Sequence, residues 1–110
     1  MPDMALVFKA LSDETRQRIL EMLTQRDMSA GEIAAAFPIA QPSVSHHLAV
    51  LKQAELVLCR RRGQQVIYSL NRAGLDECWE RFFSRILRPA RAKWDEDAVL
   101  DEGSAGFGAS

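Results

Sequence analysis

The 110-residue sequence predicts a mainly α-helical domain with one small β-hairpin, in the order α-α-α-α-β-β-α. Three observations carry that expectation. Apolar residues recur at helical spacing from Met4 to Leu51 and again from Leu75 to Leu87. Between those regions, Leu56-Val57-Leu58-Cys59 and Val66-Ile67-Tyr68-Ser69-Leu70 are rich in strand formers and flank a polar, glycine-containing turn. The length, at 47% hydrophobic, allows one compact core and leaves little for a second.

In the first helix Met4, Val7, Phe8 and Leu11 share a face. Ser12 is placed to cap a second helix, with Asp13 and Glu14 in its first turn, where the helix dipole favours negative charge, and Ile19, Met22 and Leu23 inward. Ser29-Ala30-Gly31-Glu32 is a capping box, with Met28 and Ile33 spaced as a hydrophobic staple, and starts a third helix that Phe37-Pro38 closes. The fourth begins near Gln41, with Pro42 suited to a first helical position, and runs to about Ala54 with Val44, Leu48 and Leu51 as its inward stripe. A hairpin with a basic tip, Arg60-Arg61-Arg62-Gly63-Gln64-Gln65, follows; Asn71 then caps a last helix carrying Leu75, Trp79, Phe82, Phe83, Ile86 and Leu87 and fading near Pro89. Residues 1–94 read as one domain and residues 95–110 as an acidic, Gly/Ser-rich, disordered tail.

The formal net charge of −1 conceals an uneven distribution. Five of the 15 acidic residues lie beyond Trp94, so residues 1–94 hold 14 basic against 10 acidic side chains. From residue 38 to 72 the balance is Lys52, Arg60, Arg61, Arg62 and Arg72 against Glu55, a local surplus that attracts a phosphate backbone. No apolar run approaches the ~20 residues of a membrane helix, and the amino end lacks the apolar core of a secretion signal. A cytoplasmic protein that meets no membrane is expected. Two cysteines, Cys59 and Cys78, are too few for a disulfide framework.

Two short helices joined by a tight connection and followed by a basic hairpin form a winged helix-turn-helix. The second of those helices fits the major groove of double-stranded DNA. With Val44, Leu48 and Leu51 inward, its outward group is Gln41, Ser43, His46 and Val50, of which the first three suit base reading. Ser45, Arg60, Arg61, Arg62 and Gln64 are expected on the DNA backbone or in the adjacent minor groove, and His47 is expected either packed in the fold or bonded to a phosphate. His46 and His47 point in different directions on a helix with no carboxylate or thiol beside them, so DNA contact outweighs metal binding. A hydrolytic reading through Ser43 or Ser45 lacks an oriented base, and no enzyme, catalytic residue or cofactor is expected.

Ala10-Leu11-Ser12-Asp13-Glu14-Thr15-Arg16-Gln17-Arg18-Ile19-Leu20, Gln41-Pro42-Ser43-Val44-Ser45-His46-His47-Leu48-Ala49-Val50-Leu51 and Arg62-Gly63-Gln64-Gln65-Val66-Ile67-Tyr68 together resemble ArsR-type (ArsR/SmtB) winged-helix repressors. The resemblance spans roughly residues 6–87. It implies a transcriptional repressor, homodimeric through its first and last helices, on an inverted-repeat operator. Met4, Val7, Phe8, Trp79, Phe82, Phe83 and Ile86 are the expected dimer face, and the aromatic stripe on its own wants a hydrophobic partner.

The metal-binding pattern of many such repressors is missing. Where they carry a Cys-x-Cys pair this chain has Met28-Ser29-Ala30-Gly31-Glu32. Asp76-Glu77-Cys78 resembles only half of their second site, and no histidine follows His47. The expectation is therefore no metal site, similarity to the metal-independent autorepressors, and no identifiable small-molecule effector. Two alternatives remain open: a thiol sensor for oxidants or arsenicals at Cys59, beside three arginines, or at Cys78; and a winged helix used as a protein-docking surface.

Overall fold

The computed structural model describes residues 3–87. The expected end of the last helix near Pro89 and the expected tail over residues 95–110 lie outside the described residues. Helix α1 (Met4–Leu11) is capped by Asp3, whose side chain accepts from the Ala5 amide. The cap of α2 (Glu14–Leu23) is Asp13, not Ser12: the Asp13 carboxylate accepts the Arg16 amide, while the Ser12 hydroxyl closes α1 by donating to Lys9 O at 2.6 Å. Two adjacent cap-forming residues thus divide the labour, one ending a helix and the other starting the next.

Helix α3 (Ala30–Ala35) begins on the expected capping box, with both reciprocal bonds of Ser29 and Glu32 present. Helix α4 (Gln41–Gln53) starts with Pro42 in its first turn. Strands β2 (Val57–Arg62) and β3 (Gln65–Leu70) pair antiparallel. A short strand, β1 (Met28–Ser29), adds to the other edge of β3, giving the order β1-β3-β2. Sequence patterning had no means of finding β1, because two residues carry no period and the pairing of Met28 with Tyr68 is made across the fold.

The core gathers one face from each element: Val7, Ile19, Ile33, Val44, Leu48 and Leu56 are among its fully buried members. Each such side chain contributes about 1.5–3 kcal/mol through burial. Val7 is a correction to the expected dimer face. It is 1% exposed inside the protomer, because α1 packs one flank on α2 and α4 and leaves the other, with Phe8, outward.

The last helix is interrupted. Asn71 caps α5 (Arg72–Cys78) as expected; a π-helical turn (Trp79–Phe83) follows, then a final turn, α6 (Ser84–Ile86). The wider turn resets the phase of the apolar stripe. Phe8 packs edge-on against Phe82 at 5.1 Å and Phe83 at 6.2 Å, while Trp79 stacks on Phe83 and stays half exposed. No helix among the described residues is long and apolar enough to cross a membrane.

Candidate nucleic-acid interface

Helix α4 presents two faces. Val44, Leu48 and Leu51 hold it to the core, leaving Gln41, Ser43, Ser45 and His46 exposed together along its outer side. Those groups, amide, hydroxyl and imidazole, are free to bond base edges or phosphates. Val50, expected outward, is instead 8% exposed and belongs to the buried core, as do Leu56 and Val57 where the chain leaves α4 for β2.

The hairpin is longer and its turn tighter than the sequence suggested. Arg60, Arg61 and Arg62 lie within β2, opposite Ile67, Val66 and Gln65, and the tip is only Gly63-Gln64. Gly63 at φ 64°, followed by a residue without positive φ, is the sign pattern of a two-residue type II′ turn that matches strand twist. The three arginines therefore ride up one strand on alternating faces, with Arg60 and Arg62 on the side of Leu58, and Arg61 on that of Cys59. Arg60 Nη1 lies 3.4 Å from Asp27 Oδ2, in the turn after α2, with both side chains about half exposed. An exposed pair of this kind is worth about 0–1 kcal/mol and is screened by salt, so a phosphate can displace Asp27. Gln64, also exposed, lines a shallow cleft with Ser29 and Gly31 at the start of α3.

His47 differs from its neighbour: it is half buried and tied into the fold. Its Nδ1 lies 3.0 Å from Arg16 Nη1 and 3.8 Å from Asp13 Oδ2, so the carboxylate absent from its sequence neighbourhood arrives from the start of α2. Arg16 was not anticipated. The available signal was its spacing, three residues before Ile19 and seven before Leu23, which puts a guanidinium on the buried stripe of α2. It is 8% exposed, with Nε donating to Ala10 O and Nη2 to Lys9 O. Hydrogen bonding from the Arg16 amide, above all, holds the Asp13 carboxyl below its ordinary range, with the His47 and Arg16 charges assisting and burial opposing.

Cys59 is half buried in β2, opposite Tyr68. Cys78 is buried in the core, and burial pushes its thiol up, away from the thiolate that sensing chemistry needs. At the position of the missing Cys-x-Cys pair, Met28 and Ser29 form β1, and the Ser29 hydroxyl is committed to the Glu32 amide. That position offers one thioether and no thiolate, and among the described residues no three His, Cys, Asp or Glu side chains are grouped to hold a metal ion.

Comparison with known proteins bears on the same region. The family description "Bacterial regulatory protein, arsR family" matches residues 13–58, from the cap of α2 to the start of β2. The transcriptional repressor SdpR of Bacillus subtilis is 54% identical over 71 residues, 64% of this chain and 79% of SdpR. The HTH-type transcriptional regulator Rv2034 of Mycobacterium tuberculosis is 40% identical over 89 residues, 78% of this chain and 81% of that protein. Among solved structures, an ArsR-like transcriptional regulator from Rhodococcus sp. RHA1 matches with a TM-score of 0.67 at 34% identity, covering 87% of this chain and 86% of that one.

Proposed function

This chain belongs to the ArsR family of bacterial regulatory proteins, DNA-binding transcriptional repressors and not enzymes, and from that premise we propose that it is a cytoplasmic homodimer that represses from an inverted-repeat operator without a metal effector. The observation that carries the reading is the outer side of α4, where Gln41, Ser43 and His46 are exposed over a helix anchored by Val44 and Leu48, beside an arginine-bearing hairpin. Gln41, Ser43 and His46 read base edges. Ser45, His47, Arg60, Arg61, Arg62 and Gln64 engage the backbone.

The homodimer reading rests on exposed apolar surface at both ends of the described chain. Phe8 at 42%, Trp79 at 50% and Ile86 at 61% exposure, with the edge of Phe82 and Phe83 between them and Met4 half buried alongside, form one aromatic-aliphatic face that a second copy would cover. Two copies related by a two-fold axis would present two α4 helices to successive major grooves, about one helical turn apart.

The test is fluorescence anisotropy with DNA from upstream of the protein's own coding region, across a salt series, with zinc and arsenite added. Binding that weakens with salt and ignores both metals is the expected result; release by either overturns metal independence. Gln41→Ala should cost about 1–3 kcal/mol at one operator position, whereas Arg61→Ala should weaken all sequences and lower the salt slope by about one. Identical behaviour of the two variants refutes the division between reading and anchoring. Binding that survives loss of all three arginines favours a protein-docking surface instead.

A further inference from the structure

We propose that Arg16 is a positioning residue for DNA binding: it fixes the ring proton of His47 on Nε2, so that His47 meets the DNA backbone as a hydrogen-bond donor. The inference rests on the reading above, in which His47 engages phosphate.

A guanidinium only donates. With Arg16 Nη1 at 3.0 Å, His47 Nδ1 must accept, and the neutral ring then carries its proton on Nε2. Arg16 cannot swing aside, because its Nε and Nη2 are held at 2.8 Å and 3.0 Å by Ala10 O and Lys9 O, carbonyls at the negative end of α1. Asp13 is the competing neighbour, an acceptor that would draw a proton onto Nδ1. At 3.8 Å its Oδ2 is beyond hydrogen-bond reach of the ring and is already engaged by the Arg16 amide at 3.1 Å. His46, the remaining ring nearby, lies 6.0 Å away between centroids.

The outer nitrogen is left open. Among the described residues His47 Nε2 has no hydrogen-bond partner, and no buried side-chain nitrogen or oxygen lacks one, so Nε2 faces solvent. A phosphate oxygen only accepts. It bonds an Nε2–H and is repelled by a bare Nε2 lone pair, so the tautomer set by Arg16 decides the sign of the contact. The same contact links the junction of α1 and α2 to the helix that enters the groove.

Long-range proton–nitrogen NMR of the full chain at about pH 8, above the ordinary histidine range, reads which ring nitrogen is protonated. Anisotropy with a random-sequence duplex of about 30 base pairs reads the phosphate contact, which is independent of sequence. In the wild type, Nε2 should be protonated and Nδ1 bare. In Arg16→Met, with Nδ1 no longer held as an acceptor, the Nδ1-protonated form should become populated and duplex affinity should fall, by up to about tenfold, the size of one charge-assisted hydrogen bond. His47→Ala should lose a similar factor, and His47→Gln, which keeps an N–H near the Nε2 position, should recover most of it.

A wild-type proton on Nδ1 overturns the proposal, as does a folded Arg16→Met whose tautomer and affinity are unchanged. If Arg16→Met does not fold, the wild-type tautomer and the comparison of His47→Gln with His47→Ala decide, and equal affinities for those two refute it. The expected tautomer together with an undiminished His47→Ala refutes instead the placement of His47 on DNA.

Discussion

Replacing Gly74 by alanine tests the joint between α4 and the last helix. Alanine at a helical glycine ordinarily stabilises by up to about 1 kcal/mol, and here the sign should reverse. A Cβ on Gly74 would lie 2.5 Å from Glu55 O and 2.7 Å from Asn71 Nδ2. Neither atom can retreat freely. Asn71 Nδ2 donates to Glu55 O at 2.9 Å, Asn71 Oδ1 accepts the Gly74 amide at 3.1 Å, and Asn71 N donates to Leu56 O. Glu55 itself sits at φ 62°, a left-handed conformation that ends α4. Relieving the clash removes the cap of α5, about 1 kcal/mol, and the Asn71–Glu55 bond, about another. Backbone displacement adds about 1 kcal/mol and the helix-propensity gain offsets about as much. The net loss is about 2 kcal/mol, a fall in Tm of about 8–16 °C for a domain of this size. Urea and thermal unfolding followed by circular dichroism measure it. Gly31→Ala is the control, since its Cβ would meet only Ser29 Oγ at 3.9 Å, and it should be neutral to stabilising. If Gly74→Ala proves as stable as the wild type, the joint is not the constraint argued here.

Three further outcomes are expected. Leu48→Ala, which empties a fully buried site facing the core from α4, should destabilise by about 2–5 kcal/mol in urea unfolding and abolish DNA binding with the fold. Asp13 and Glu32 are both held below the ordinary carboxylate range, chiefly by the backbone N–H groups of Arg16 and Ser29 respectively. A depressed folded value means that the stability they contribute is present above the unfolded carboxylate range and lost as pH falls through the folded one, so the urea midpoint should drop below about pH 4, and Glu32→Gln should flatten that slope. Hydrogen peroxide should leave DNA binding unchanged in the wild type; release that disappears in Cys59→Ser would identify a sensor in the hairpin, where Cys59 is half buried, and not at buried Cys78.

Much of the candidate interface was legible in sequence because it is encoded locally. The capping box at Ser29 and Glu32, the proline in the first turn of α4, the stripe of Val44, Leu48 and Leu51, and Asn71 at the start of α5 each depend on residues within a turn or two of one another. The helical period places Gln41, Ser43 and His46 outward from that stripe, as it does Val50, which tertiary packing nevertheless buries. Local patterning does not choose between Ser12 and Asp13, two capable caps side by side; only the path of the chain does.

What tertiary structure alone decided involves pairs distant in sequence. Whether Val7 or Phe8 turns outward depends on where α2 and α4 pack on α1, since both lie on its apolar side. The arginines climb β2 instead of filling a loop because strand register is set by pairing with β3, and a two-residue turn at Gly63 extends the ladder to Arg62 and Gln65. The link from Arg16 to His47 crosses 31 positions, and the approach of Gly74 to Glu55 crosses a hairpin. The local sequence determined helix α4 and its outer face; the folded chain determined the partners of Arg16, His47 and Gly74, because a partner brought from another element has no signature in the period of its own.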